Sequence, residues 1–96
     1  MSFFVAKYDA LREYLEQLPP GPVTLSFQAI DEMVPGGLPE GAFQHRAWWA
    51  NEIGGHHVQA RAWLQAGRTV VDASPRAGRV RFSARSQATH PSVTDA

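Results

Sequence analysis

The sequence predicts an α+β fold in which helices are followed by a C-terminal β-hairpin, and three observations carry that prediction. Apolar residues recur at helical spacing through the first two thirds of the chain. A run of β-branched and alternating residues follows, from Thr69 to Arg85, split by Ser74-Pro75-Arg76-Ala77-Gly78. Pro- and Gly-rich breaks separate the elements at residues 19–22, 35–37 and 54–55.

The first helix is expected over Phe3 to Leu18. Phe4, Tyr8, Leu11, Leu15 and Leu18 make its apolar stripe, and Pro19-Pro20-Gly21-Pro22 stops it. Val23-Thr24-Leu25 is long enough for one short strand. Ser26 is suited to N-cap a second helix, Phe27 to Val34, with Phe27, Ile30 and Met33 or Val34 turned inward. A third helix is expected from Pro39 to Trp49 or Asn51, its apolar stripe formed by Phe43, Ala47 and Ala50. A fourth is expected from His56 to Ala66, with Val58, Ala62, Trp63 and Ala66 inward and Gly67 as its stop. In the last strand Val80, Phe82 and Ala84 take one face and Arg79, Arg81, Ser83 and Arg85 the other. Residues 1–85 read as one domain and residues 86–96 as a flexible C-terminal tail. This order is that of a winged helix-turn-helix with an extra helix, the short strand pairing with the hairpin.

Composition narrows the function classes. The chain has 96 residues, 44% hydrophobic and 19% charged, as an ordinary globular domain does. It has no cysteine, which excludes disulfides, thiolate metal sites and a cysteine nucleophile. The N-terminus does not read as a signal peptide and no run approaches a membrane span, so a cytoplasmic chain with no membrane partner is expected. Net charge is zero but polarised: residues 1–44 hold two basic and six acidic side chains, residues 45–96 seven arginines and three acidic side chains. All four histidines lie in the basic half. A polarised surface can meet an anionic partner, or the halves can neutralise each other across the fold.

The densest stretch is His45-Arg46-Ala47-Trp48-Trp49-Ala50-Asn51. Neighbouring helical residues point about 100° apart, so two adjacent tryptophans cannot share one narrow stripe. At least one indole is then turned to a neighbouring element, a partner or solvent. The pair could stack on bases or anchor a protein partner; equally, it could pack under the hairpin with each indole N–H on a carbonyl. Asn51 could cap the turn before Gly54. His57, Arg61 and Gln65, spaced i, i+4, i+8 ahead of the hairpin, can donate to phosphates or base edges, where a recognition helix would sit. On the hairpin, Arg76, Arg79 and Arg81 are placed to contact phosphates, unless they only solvate and blunt a strand. His45, His56, His57 and Glu52 lack a metal-ligand spacing, and no nucleophile elbow, phosphate loop or close carboxylate pair is present. No catalytic residue, metal or small-molecule cofactor is expected.

Lys7-Tyr8, Leu11, Tyr14-Leu15, Leu25-Ser26-Phe27, Ile30, Leu38-Pro39, Ala42, Arg46, Trp48-Trp49-Ala50-Asn51, Ala62-Trp63-Leu64, Ala66-Gly67, Val80 and Phe82 together resemble a family of small bacterial domains of unknown function. The resemblance spans about residues 7–85, and Trp-Trp-x-Asn is its most distinctive piece. It departs at Arg68, where an aromatic is common in the family. Such domains occur alone or joined to DNA-processing modules. The resemblance implies that Arg46, Trp49, Asn51 and His57 matter, and it favours nucleic acid. The reading is therefore a non-enzymatic domain that binds double-stranded DNA through Arg46, Arg61, Arg76, Arg79 and Arg81 with His57, Gln65, Trp49 and Asn51. The alternative is a protein-interaction module or homodimer built on Trp48 and Trp49 and the acidic first helix.

Overall fold

The computed structural model describes residues 7–52 and 58–86. Its elements run α1 (Asp9–Gln17), β1 (Val23–Ser26), α2 (Phe27–Met33), α3 (Glu40–Gln44), a 3-10 turn (Arg46–Trp49), α4 (Ala60–Gln65), β2 (Val70–Ser74) and β3 (Arg79–Phe82). The fold is α+β, with helices packed on one face of a three-stranded antiparallel sheet of order β1-β3-β2. The short strand does pair with the hairpin: Val23 to Ser26 run opposite Phe82 to Arg79. On the other side of β3, Asp72, Ala73 and Ser74 face Arg81, Val80 and Arg79, and an irregularity between Val70 and Asp72 leaves Val71 exposed.

Local signals set most of these elements. Leu11 and Leu15 are buried on α1, which packs against α4. The helix is shorter than the expected 3–18. Lys7 and Tyr8 lie in a turn, Leu18 is extended ahead of Pro19, and Phe3 and Phe4 lie outside the described residues. Ser26 caps α2 as expected, its hydroxyl accepting from the Ala29 N–H at 3.0 Å. Phe27, Ile30 and Val34 are buried, with Met33 half-buried beside them.

Three expectations are corrected. The third helix is not continuous: His45 is extended (φ −123°, ψ 117°) between α3 and the 3-10 turn. That break resets the phase, so Ala42 and Trp49 are buried while Phe43 and Ala47 are exposed. Tertiary contacts favour it, because it carries the Trp49 indole back over α3, where Nε1 donates to the Ala42 carbonyl at 2.9 Å. The fourth helix begins at Ala60, so Val58 precedes its stripe and is 58% exposed, while Ala62, Trp63 and Ala66 are buried. The expected start at His56 lies outside the described residues. Finally, β3 ends at Phe82, and Ala84 is exposed. Beyond it the chain folds back: Arg85 N–H donates to the Pro20 carbonyl and Ser86 N–H to the Gly67 carbonyl, each at 2.7 Å. Ser86 is thus fastened to the domain, and the rest of the expected tail lies outside the described residues.

The core is an aromatic ladder. Phe27 stacks on Trp49 (centroids 4.8 Å apart), Trp49 on Trp63 (5.8 Å), and Trp63 leans on Phe82 (5.8 Å). Trp48 meets Trp49 edge-on at 4.7 Å and Tyr8 at 5.9 Å. Such offset and edge-on pairs add about 0.5–1.5 kcal/mol each beyond the area they bury.

Candidate nucleic-acid interface

Alternation along β3 sorts its side chains onto two sides. Val80 and Phe82 enter the core, and Arg79 and Arg81 stand on the opposite, outer face. Residues two apart on a strand repeat about every 6.6 Å, so the two guanidinium groups share one surface. Register brings Thr24 of β1 and Asp72 of β2 alongside Arg81. Thr24, Asp72, Arg79 and Arg81 line a shallow cleft of about 400 Å³. Arg46 reaches the same carboxylate from the 3-10 turn, Nη2 lying 3.5 Å from Asp72 Oδ1. Arg79 and Arg81 make no ion pair among the described residues. Asp72 therefore lines one cleft with Arg79 and Arg81 and pairs with Arg46 from the 3-10 turn. Arg76 is exposed in the hairpin turn, where Ser74 Oγ accepts from the Ala77 N–H.

The fourth-helix residues fall elsewhere. Arg61 and Gln65 are exposed on α4 and line a separate cleft of about 600 Å³ with Lys7, Tyr8, Asp9, Val58 and Ala62. The buried face of α4 carries Trp63 against Phe82, on the inner side of the sheet. The sequence-derived set is thus divided: Arg79 and Arg81 line one cleft, Arg61 and Gln65 another, and Arg46, Trp49 and Asn51 a third at the edge of β2, while His57 lies outside the described residues.

Three residues of the distinctive tryptophan segment have structural duties. Trp49 is 1% exposed, between Phe27 and Trp63, and offers no ring face to a base. Trp48 is half-buried against Tyr8, and its carbonyl accepts from Gln59 Nε2 at 2.8 Å. The turn before Gly54 that Asn51 was expected to cap lies outside the described residues, and the Asn51 side chain is engaged elsewhere. Its Nδ2 donates to the Val70 carbonyl (2.9 Å), while Oδ1 accepts from the Val70 N–H (2.8 Å) and from Trp63 Nε1 (2.9 Å). The carboxamide stands in for a neighbouring strand and blunts the outer edge of β2.

The chain matches, over residues 8–86, the model of DUF7662, a domain of unknown function. It belongs to that family. The DUF7662 match takes in every described element, from the turn before α1 to the strap after β3. No curated protein and no solved structure matches the chain.

Within this DUF7662 chain, Arg68 is buried and structural. Its guanidinium donates to the carbonyls of Leu15 (3.3 Å), Pro19 (2.8 Å), Gly21 (2.8 Å) and Ser83 (3.1 Å). Burial, and then the charge of Arg85, hold its pKa below the usual arginine value. Arg85 itself donates to the Glu16 carbonyl at 3.0 Å. Two of the seven arginines in the basic half therefore serve the C-terminal end of α1, whose last turn contains no cation. Among the described residues no three His, Asp or Glu side chains cluster as metal ligands, and no helix is long and apolar enough to cross a membrane. Sequence reasoning missed Asp72 as a site residue. An acidic side chain within a β-signal whose partner strand is arginine-rich was the available sign.

Proposed function

We propose that this domain is a non-enzymatic nucleic-acid-binding module that meets the phosphate backbone of duplex DNA with the outer face of its sheet. The observation that carries the reading is the pair Arg79 and Arg81, exposed side by side on β3 and without a carboxylate partner among the described residues. Arg46 adjoins them through Asp72, and Arg76 extends the basic surface at the turn. Guanidinium groups suit phosphates because their forked donors match its oxygens. The order of helices, with β1 pairing to a C-terminal hairpin, is also what a winged helix-turn-helix with an extra helix would have. Arg61 and Gln65, on their separate cleft, are secondary contacts in this reading. Burial of Trp49, with Trp48 half-buried, favours this face over the interaction-module alternative built on Trp48, Trp49 and the acidic first helix.

With about four phosphate contacts, log K is expected to fall against log salt with a slope of about −3.6. A chain of zero net charge gains little from long-range attraction, so affinity at physiological salt is expected to be modest. Fluorescence anisotropy of a labelled duplex at several salt concentrations tests this. Replacing Arg79 and Arg81 by alanine should flatten the slope by about 2. A duplex affinity unchanged by both substitutions would refute the proposal.

A further inference from the structure

Asp72 lines the cleft that a phosphate reaching Arg79 and Arg81 would enter. It shares that cleft with Thr24, faces Arg81 across the strands, and receives Arg46 at 3.5 Å. We infer that Asp72 is an internal counter-anion that regulates this face, a role that rests on the nucleic-acid reading above. The Arg46 and Asp72 side chains are 70% and 65% exposed, so their contact is of the weak, solvent-screened kind and exchanges readily. A single phosphate at Arg79 and Arg81 stands beside the Asp72 carboxylate, whose repulsion offsets much of what those two contacts gain. A nucleic-acid strand instead engages Arg79, Arg81 and the outlying Arg76 together, and its joint contacts outweigh the repulsion from Asp72. The carboxylate thus sets a threshold: the face takes multivalent phosphate backbones and rejects isolated anions.

Asp72→Asn removes the charge and keeps the shape. A second variant, Glu13→Gln, changes net charge equally from α1, in the helical layer. Unfolding midpoints establish that both variants fold as the natural protein does. In duplex anisotropy titrations D72N is expected to bind roughly three- to ten-fold more tightly, the effect of one like charge at close range in water. E13Q is expected to change affinity by less than about two-fold, because screening removes distant charges. In amide NMR spectra, inorganic phosphate is expected to shift the Arg79 and Arg81 resonances of D72N and to leave those of the natural protein in place.

Equal gains from D72N and E13Q, or no gain from D72N, would overturn the role of Asp72. In the latter case, duplex binding by the natural protein leaves the nucleic-acid reading standing. Duplex binding by neither protein overturns that reading and the role of Asp72 with it.

Discussion

Arg68 contributes a cation where α1 has none. Helix C-termini carry partial negative charge and unsatisfied carbonyls, and the last turn of α1 contains no basic residue. The guanidinium of Arg68, buried at 1% exposure, donates to Leu15 in that turn and to Pro19 and Gly21 just beyond it. Arg68→Ala strands four carbonyls and opens a cavity, and should cost about 3 kcal/mol or more, read as a lower urea midpoint. Arg68→Lys should recover only part of this, because one ammonium cannot span the same acceptors. An unchanged midpoint in R68A would contradict the assignment. At Tyr8, burial raises the phenol above its ordinary value of 10.0. The folded state holds that proton more tightly, so its contribution is complete below pH 10.0 and is lost as pH rises through the higher folded value. Urea midpoints measured from pH 9 upward should therefore fall less steeply in Tyr8→Phe than in the natural protein.

At the scale of elements, what was legible was what is local. The Ser26 cap lies three residues from the Ala29 N–H it accepts from, and the α2 stripe lies within one short helix. Ser26→Ala should cost about 1 kcal/mol in thermal stability. The break at His45 was not legible, because its cause is distributed: Trp49 bonds Ala42, Asn51 bonds Val70 and Trp63, and Gln59 bonds Trp48. No helical periodicity encodes such partners. Asn51→Ala removes three hydrogen bonds and should cost about 2 kcal/mol. It should also change the Trp63 fluorescence spectrum, since that indole N–H loses its acceptor; an unshifted spectrum at full stability would argue against the clamp. The end of β3 escaped pattern reading for a similar reason. Arg85 looked like one more outward arginine, yet its backbone and side chain bond Pro20 and Glu16 across the molecule.

Across the whole molecule, the charge asymmetry of the sequence resolves into three uses. Arg12 pairs with Glu13 and Glu16 within the acidic half, and Arg46 with Asp72 within the basic half. Arg68 and Arg85 cross from the basic half to the end of α1, meeting carbonyls rather than carboxylates. Arg79 and Arg81 remain on the outer sheet face, and alternation made that face readable from the sequence. The separation of Arg61 and Gln65 from it was not readable, because it depends on which side of the sheet α4 packs. Both Arg79→Ala and Arg81→Ala should leave stability within about 0.5 kcal/mol, as exposed substitutions do, so any loss of binding would report the interface alone.

The most direct test of the outer face as the nucleic-acid interface is the footprint of a short DNA duplex on the amide NMR spectrum at low salt. The expected result is a contiguous set of shifted resonances at Thr24, Asp72, Arg79 and Arg81, extending to Arg46 and Arg76. Shifts confined to the α4 cleft around Arg61 and Gln65, or no shifts at all, would contradict the account.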